Sequence, residues 1–241
     1  MIRLGLTGGI GMGKSTAAEL LAKRGAKVCD SDALARELVA PGQPALAEIV
    51  EAFGGAVLLG DDSLDRAKVG ELVFRDSTAR EKLEGILHPR IRKVWQARLE
   101  DWSVAGERLA VAVIPLLFET QAESSFDKIA CVACSPELQR ERLRARGWSD
   151  GEIDSRIAAQ MAVDEKMRRA DHVIWTDGTI EAHAAQWDSV LSSWDVLERK
   201  FRNNLAARFS AERVESLAEA CLDPTKLDTM SVPEFLDKLW N

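Results

Sequence analysis

The sequence predicts an α/β protein built on a five-stranded parallel sheet. Short apolar runs alternate with longer segments of helical periodicity, which is the order expected when helices join the strands of one sheet. The runs are apolar almost without interruption, as expected for strands that are covered on both faces. The five predicted strands are IRLGLT, AKVCD, RLAVAVIP, DKIACVACS and DHVIW.

Length and composition indicate one folded core with a smaller appendage. The chain has 241 residues, of which 46% are hydrophobic and 29% charged, unlike the composition of disordered chains. A net charge of -7 argues against general affinity for nucleic acid or for anionic membranes. The first apolar run is too short for a signal peptide, and no stretch approaches the roughly 18 apolar residues of a membrane span. We therefore expect a cytoplasmic protein.

The four cysteines do not predict a metal or redox site. Cys131 and Cys134 are the one close pair in the sequence, and they fall in a predicted strand, where residues three apart point to opposite faces. The three histidines are scattered elsewhere along the chain. We expect these cysteines to be small core residues.

The first predicted strand leads into a glycine-rich loop with the spacing G-x-x-x-x-G-K-S. The pattern begins at Gly8 and ends with Gly13, Lys14 and Ser15, and apolar residues at helical spacing follow it. In this context it is a P-loop, whose backbone N–H groups and helix N-terminus surround nucleotide phosphates. A dinucleotide fingerprint does not fit, because Lys14 would occupy a required glycine position. We expect Lys14 to reach the β- and γ-phosphates of ATP and Ser15 to hold Mg²⁺.

Two aspartates follow the second predicted strand. In VCDSD, Asp30 and Asp32 are two residues apart, so both project to one side if the strand geometry persists. Ligands of parallel α/β sheets bind beyond the carboxyl ends of the strands, which places both carboxylates near the loop. We assign to Asp32 the task of accepting the proton of an acceptor hydroxyl. The alternative is that one of the two caps the next helix.

Two helical excursions surround the predicted sheet. Residues 33–105 form an insertion of separate helical segments between the second and third strands, and two of these segments, TAREKLEGIL and IRKVWQARLEDW, lie on either side of Pro89. Residues 136–170 form an arginine-rich excursion, and charged runs of this kind are ordinarily solvated helix faces. So long an insertion can cover one side of the sheet.

The last part of the chain continues as charged helix. Phe201, Leu205 and Phe209 recur at four-residue spacing, which forms an amphipathic stripe. The stripe either packs back on the core or meets a partner. We therefore expect a main domain over residues 1–195 and a helical extension of unassigned role over residues 196–241.

Taken together, these motifs resemble the dephospho-CoA kinase family of P-loop kinases. The resemblance covers about residues 1–195 and rests on the order and spacing of LTGGIGMGKST, VCDSDALARELV, LDRAKVGELVF, LHPRI, IPLLFE, SPELQRERLRARG and EKMRRADHVI. It implies a three-layer α/β/α P-loop kinase fold, with the insertion on the acceptor side and the arginine-rich helices as a lid. It further implies ATP and dephospho-CoA as small-molecule substrates and Mg²⁺ as the cofactor. We expect a monomer or a weak oligomer.

The resemblance also implies roles for individual residues. It places Asp32 near the acceptor ribose as the base, and it places Arg142 in a lid that closes over the phosphates. The residues implied to bind ATP are Gly9, Gly11, Met12, Gly13, Lys14, Ser15, Thr16, Arg142 and Arg146. Those implied to contact the acceptor are Asp32, His88, Pro115 and Glu119. For His88 the alternative is a cap at the end of a helix, since a proline follows it.

Two further basic residues and a few departures complete the comparison with the family pattern. Arg66 and Lys166 match basic positions of the family, with salt bridges as the alternative. Met12 stands where a smaller residue is common, Ser31 stands where alanine is usual, and VIWTDG lacks an asparagine.

The reaction that the resemblance implies is in-line transfer of the ATP γ-phosphoryl group to the ribose 3'-hydroxyl of dephospho-CoA. A shikimate-type kinase and a nucleotide-dependent regulator are the alternatives.

Overall fold

A sheet of five parallel strands runs through the computed structural model, which describes residues 1–222, 226 and 229–240. The strands within these residues are Ile2–Gly8 (β1), Lys27–Asp30 (β2), Leu109–Val113 (β3), Lys128–Ala133 (β4) and His172–Trp175 (β5). Their spatial order is β2-β3-β1-β4-β5, and every neighbouring pair is parallel. The predicted strands and the parallel sheet are confirmed.

Helices occupy most of the remaining described chain. They are Lys14–Ala22 (α1), Ser31–Leu38 (α2), Pro44–Phe53 (α3), Arg66–Arg75 (α4), Ser77–Val104 (α5), Pro136–Arg144 (α6), Asp150–Ala158 (α7), Val163–Arg169 (α8), Ile180–Ala206 (α9), Ala211–Leu222 (α10) and Val232–Trp240 (α11). Short 3-10 turns lie at Gly55–Val57 and Glu123–Ser125. Both helical excursions are therefore confirmed as helical.

Strand β3 is buried on both faces of the sheet. Ala110 and Ala112 belong to a buried cluster with Trp95 of α5. Successive residues of a strand point to opposite faces, so Val111 and Val113, which are also buried, lie on the other face. Helices α1, α5 and α8 pack on the sheet, and the arrangement is the three-layer α/β/α fold.

The strand order opens a crevice between the carboxyl ends of β1 and β3. The chain leaves β1 toward β2 on one side, whereas it leaves β3 toward β4 on the other. Open α/β sheets bind their ligands where connections diverge in this way. The P-loop follows β1 and the PLLFE segment follows β3, and the Thr7 hydroxyl donates to the Pro115 carbonyl across the crevice at 3.1 Å.

The insertion between β2 and β3 has a hydrophobic core of its own. Val39, Ile49, Val57 and Val69 are each at most 5% exposed and pack with one another. Val39 directly follows α2, and the other three come from α3, the first 3-10 turn and α4. The insertion is thus a small helical body with its own interior, and it is joined to the sheet layers by α5.

One prediction for the insertion is wrong, because the two segments predicted on either side of Pro89 form the single helix α5 of 28 residues. A proline inside a helix removes one backbone hydrogen bond and crowds the preceding turn. Here the Arg90 guanidinium donates to the Ile86 carbonyl at 2.6 Å and pairs with Glu48 of α3. Apolar residues before Pro89 pack in the insertion core and those after it pack on the sheet, and this packing outweighs the lost bond.

The described chain forms two compact units, Met1–Ile180 and Glu181–Asn241. The boundary that we place at residue 195 from the sequence lies inside α9. Within the second unit, Val214 and Leu217 of α10 are buried. Every helix among the described residues is too short or too polar to cross a membrane.

Candidate nucleotide and acceptor site

The P-loop is fixed in position where it leaves β1. Gly8 has a φ of 144°, and a Cβ at this position would lie 2.2 Å from the carbonyl oxygen of Val132 on β4. A glycine is therefore required at this contact. Gly13, with a φ of 97°, adopts the left-handed conformation directly before α1. The free N–H groups of the first turn of α1 consequently point toward the loop.

The ammonium group of Lys14 lies inside the loop. Its Nζ donates to the carbonyl oxygens of Gly8 and Gly9, both at 2.9 Å. Burial lowers the pKa of Lys14 to about 8, the positive charge of Lys166 lowers it further, and the carboxylate of Asp32 opposes both effects. Lys14 therefore remains mostly charged at neutral pH. Its ammonium group can replace the hydrogen bonds to these two carbonyl oxygens by hydrogen bonds to phosphate oxygens while it remains inside the loop.

The side chain of Met12 is turned into the core instead of the loop interior. It is 2% exposed and packs against Ala133 and Cys134 at the end of β4. Its carbonyl accepts a hydrogen bond from the Thr176 hydroxyl at 3.0 Å. Core packing explains why a large apolar residue is accommodated at this loop position, and it leaves only the Met12 backbone for a contact with ATP.

Two glutamines hold the tip of the loop. Gln139 of α6 donates to the Ile10 carbonyl at 2.7 Å, and Gln160 accepts from the Ile10 N–H at 3.2 Å. Gln139 is buried, with 6% exposure. Sequence reasoning missed both residues, because a glutamine within a charged helical stretch resembles any other solvated position. Together they connect the arginine-rich helices to the P-loop.

Asp30 and Asp32 have different roles. Strand β2 ends at Asp30 and α2 begins at the next residue, so the strand geometry does not persist, and the expectation that both aspartates project together from the strand is wrong. The Asp30 carboxylate accepts the Asp32 N–H at 2.8 Å and caps α2. The prediction that one of the two caps the next helix is thus confirmed, and it applies to Asp30. The carboxylate of Asp32, in the first turn of α2, remains exposed.

The carboxylate of Asp32 lies in the electrostatic field of the P-loop. The surrounding protein and the negative charge of Asp30 raise its pKa above the ordinary value, whereas the charges of Lys14 and Arg36 act against this shift. A raised pKa makes a carboxylate a stronger base. The charges of Asp32 and Lys14 therefore act on each other, although no ion pair joins them among the described residues.

A buried ion pair connects the segment after β3 to α8. Lys166 is 0% exposed, its Nζ lies 2.8 Å from Oε1 of Glu119, and it donates to the Pro115 carbonyl at 2.6 Å. The same carboxylate oxygen accepts the N–H of Met161 at 2.8 Å. Oε2 of Glu119 is buried and has no hydrogen-bond partner among the described residues. The salt bridge considered for Lys166 is confirmed, and it fixes two of the residues that we expect at the acceptor.

Ion pairs connect the arginine-rich helices. Arg140 and Arg144 of α6 pair with aspartates of α7. Arg142 instead donates to the hydroxyl and carbonyl oxygens of Thr176, at 2.8 and 2.7 Å. Arg146 follows α6 and is exposed. Thr176, which the sequence did not single out, therefore joins Arg142 to the P-loop through its contact with the Met12 carbonyl.

His88 lies in the middle of α5, so its alternative role as a cap at a helix end is wrong. One turn further along, Arg92 donates to the carbonyl oxygen of Thr120, which directly follows Glu119. Residues four apart share one side of a helix. His88 itself is half-buried and lies one turn before Arg92 on α5.

Three of the four cysteines are core residues, as predicted, whereas Cys221 is only half-buried. Cys29, Cys131 and Cys134 are buried, and burial raises the pKa of Cys29 and of Cys131 to about 11. A thiol in this state is a poor nucleophile at neutral pH. Among the described residues, no group of three His, Cys, Asp or Glu side chains is placed to hold a metal ion.

Comparison with known proteins agrees with this geometry. A family model described as dephospho-CoA kinase matches residues 2–182. A dephospho-CoA kinase of Anaeromyxobacter dehalogenans is 47% identical over 190 residues, which are 78% of this chain and 90% of the relative. A dephospho-CoA kinase of Moorella thermoacetica is 46% identical over 201 residues, which are 83% of this chain and 93% of the relative.

Two solved structures have a fold similar to that of this chain. TT1252 from Thermus thermophilus superposes with a TM-score of 0.67 at 34% identity, over 80% of this chain and 97% of that chain. A dephospho-CoA kinase from Campylobacter jejuni superposes with a TM-score of 0.60 at 26% identity, over 79% of this chain and 95% of that chain. The fold similarity therefore spans nearly all of each solved chain, and about four fifths of this one.

Proposed function

Because the chain belongs to the dephospho-CoA kinase family, its activity is the transfer of the ATP γ-phosphoryl group to dephospho-CoA, and we propose that Lys14, Asp32 and Arg142 carry it out. The observation that supports these roles is that Lys14 and Asp32 lie in the first turns of α1 and α2, which follow the parallel strands β1 and β2 at the same edge of the sheet, and that Thr176 joins Arg142 to the P-loop. Lys14 is suited to a phosphate and Asp32 to a hydroxyl proton. The product is CoA, formed in the last step of its biosynthesis.

The P-loop provides the donor side of the reaction. The N–H groups of residues 9–16 surround the β- and γ-phosphates, and Lys14 exchanges its two carbonyl contacts for phosphate oxygens. Holding donor and acceptor in line supplies an effective molarity of about 10⁵–10⁸ M, which exceeds the contribution of proton removal. Most of the catalysis therefore comes from positioning and charge stabilisation.

The acceptor side is built on α2 and on the segment after β3. Asp32 accepts the proton of the 3'-hydroxyl as this oxygen attacks the γ-phosphorus and the bond to ADP breaks. His88, Pro115 and Glu119 border the place where the acceptor ribose lies. Lys166 keeps this border in position, because it contacts both Pro115 and Glu119 from a fully buried position.

Mg²⁺ fits the oxygen donors of this site. The Ser15 side chain lies in the exposed first turn of α1, next to the loop. Mg²⁺ prefers oxygen ligands and is usually held by one or two protein oxygens together with waters and substrate phosphates. Ser15 would hold the ion, with Thr16 beside it. When bound, the ion neutralises charge on the β- and γ-phosphates.

The activity is tested by mixing the protein with ATP, Mg²⁺ and dephospho-CoA and measuring ADP and CoA by chromatography. We expect one CoA for each ADP, and no ADP when shikimate replaces dephospho-CoA or when the acceptor is omitted. ADP formation that does not depend on an acceptor would contradict the kinase and favour a nucleotide-dependent regulator. A cytoplasmic location and a monomeric or weakly associating state stay predictions.

The lid role of Arg142 gives a second prediction. Arg142→Gln should lower kcat/KM for ATP by about 10- to 100-fold, since a charged hydrogen-bond donor contributes about 1.5–3 kcal/mol. Arg140→Gln on the same helix is the control, because Arg140 pairs with Asp154 at an exposed site and such pairs contribute little. Steady-state kinetics with varied ATP at saturating dephospho-CoA measure both. Equal losses in the two variants would remove the special role of Arg142.

A further inference from the structure

The tip of the P-loop is held through both backbone groups of Ile10. The Gln139 side chain donates a hydrogen bond to the Ile10 carbonyl at 2.7 Å, and the Gln160 side chain accepts one from the Ile10 N–H at 3.2 Å. A backbone N–H can only donate and a carbonyl can only accept, so Gln160 must present its oxygen and Gln139 its nitrogen. The two glutamines therefore make opposite contacts with the same residue, and neither has a task in the reaction proposed above.

The Gln139 contact is part of close packing between α6 and the loop. A Cβ at Gly9 would lie 3.3 Å from Nε2 of Gln139, and a Cβ at Gly11 would lie 2.9 Å from Cγ of Leu143. Both of these α6 residues are buried. This side of the loop is therefore supported by a helix that fits directly against it, and Gln139 contributes to that support.

Gln160 makes a different kind of contact, because it lies in the short connection between α7 and α8 and is only half-buried. The next residue, Met161, donates its N–H to Oε1 of Glu119 at 2.8 Å. Adjacent Cα atoms are about 3.8 Å apart, so two neighbouring residues contact the P-loop and the segment after β3. Gln160 and Met161 thus form a bridge from the loop to the acceptor border, which consists of Pro115 and Glu119.

A buried ion pair fixes the Glu119 end of this bridge. Lys166 is 0% exposed, its Nζ lies 2.8 Å from the same carboxylate oxygen, and it donates to the Pro115 carbonyl at 2.6 Å. The Thr7 hydroxyl donates to that carbonyl from the end of β1, at 3.1 Å. The polar contacts therefore form a closed circuit that leaves the chain at Thr7 and returns to it at Ile10, three residues later.

We propose that Gln160 is a positioning residue for phosphoryl transfer, which sets the distance between the P-loop and the acceptor border. The inference rests on the proposed function, which places the phosphates in the loop and the acceptor ribose beside Glu119. In-line transfer depends on this distance, because a displacement of about 1 Å can slow a reaction about 10²-fold. Gln160 already accepts the Ile10 N–H, so the phosphate contacts are left to Lys14 and the other N–H groups of the loop. Loss of Gln160 should therefore lower turnover and leave the affinity for ATP nearly unchanged.

Gln160→Leu tests this role, because it removes the hydrogen-bond acceptor and keeps a side chain of similar size. We expect kcat to fall about 10- to 100-fold, whereas the KM for ATP should stay within about twofold of wild type. Steady-state kinetics with varied ATP at saturating dephospho-CoA measure both. The matched control is Gln96→Leu, the same exchange at an exposed position of α5, which should behave as wild type. An unchanged kcat in Gln160→Leu, or a rise in the KM for ATP alone, would overturn the inference.

The direction of the hydrogen bonds gives a second test, in which each glutamine is replaced by glutamate. Gln160→Glu keeps an oxygen for the Ile10 N–H, so kcat and kcat/KM for ATP should stay within about threefold of wild type. Gln139→Glu turns a donor into an acceptor that faces the Ile10 carbonyl, and kcat/KM for ATP should fall about tenfold or more. Both exchanges add the same negative charge beside the same loop residue, so a general effect of charge would lower the two values alike. Equal losses would contradict the inference.

Gln139 is buried, so thermal unfolding of each variant is recorded before the kinetics are compared. If Gln139→Glu does not fold, Gln160→Glu and Gln160→Leu decide the question, because they share one position and differ in the oxygen that accepts the Ile10 N–H. A kcat of Gln160→Glu as low as that of Gln160→Leu would overturn the inference. A wild type that forms no CoA would overturn the proposed function and the inference with it, whereas an active wild type with an equally active Gln160→Leu would overturn the inference alone.

Discussion

Replacing Asp32 by asparagine is expected to lower kcat by about 10²–10⁴, the usual contribution of a positioned base. Asparagine keeps the size of the side chain and cannot take the proton. The affinity for ATP should change little, since the proposed phosphate contacts come from Lys14 and the N–H groups of the loop. Single-turnover kinetics and ATP titration measure the two quantities separately. Wild-type turnover in Asp32→Asn would exclude this residue as the base.

The neighbouring aspartate provides the control for this experiment. Asparagine is as good a helix cap as aspartate, so Asp30→Asn should keep α2 intact while it removes the negative charge beside Asp32. Asp32 acts as a base only when it is ionised, and turnover therefore falls as the pH drops through its pKa. Because the charge of Asp30 helps to raise that pKa, Asp30→Asn should move the acid limb of the kcat profile to lower pH. A shift to higher pH would contradict this electrostatic account.

Replacing Lys166 by methionine is expected to lower the free energy of unfolding by about 3–5 kcal/mol, because it leaves the Glu119 carboxylate without its buried partner. Lys166 is fully buried and also bonds the Pro115 carbonyl, so packing of the acceptor border is lost as well. Urea unfolding measures the change. Activity should fall too, since Pro115 and Glu119 are the residues that we propose to contact the acceptor.

Two further variants distinguish the loss of stability caused by breaking the ion pair from a loss caused by any substitution in α8. Arg168→Met alters the same helix at an exposed position and should cost less than about 1 kcal/mol. The double variant Lys166→Met, Glu119→Gln removes both charges and keeps an oxygen that can accept the Met161 N–H. We expect it to be more stable than Lys166→Met alone. Stability equal to the sum of the two single losses would show that the charges are not coupled.

The sequence predicted the sheet and the P-loop because both leave short-range patterns. Five apolar runs between helical segments identify the parallel strands, and the spacing from Gly8 to Ser15 identifies the loop. The aspartates were only partly predicted. Asp30 and Asp32 were located next to the loop, but the division of tasks depends on where β2 stops and α2 starts, which no pattern in VCDSD specifies.

The polar contacts that surround the loop were not predictable in the same way. Thr176 reaches Met12 across 164 positions of sequence, and Gln139 reaches Ile10 across 129. Such contacts exist only after the sheet has brought β1, β4 and β5 together, so a single sequence contains no local pattern for them. The continuity of α5 through Pro89 has a similar origin, because packing on two separate cores overrides a local preference to stop.

The contact of Gly8 with the Val132 carbonyl has a consequence for the thermodynamics of nucleotide binding. The first residue of the loop is locked to the neighbouring strand, and the glutamines hold its tip, so the loop already has a defined shape. Binding therefore sacrifices little conformational entropy, and more of the attraction for phosphate appears as affinity. A side chain at residue 8 would push β1 and β4 apart. The loop would then lose its defined shape, and nucleotide binding would have to order it, which would lower the affinity.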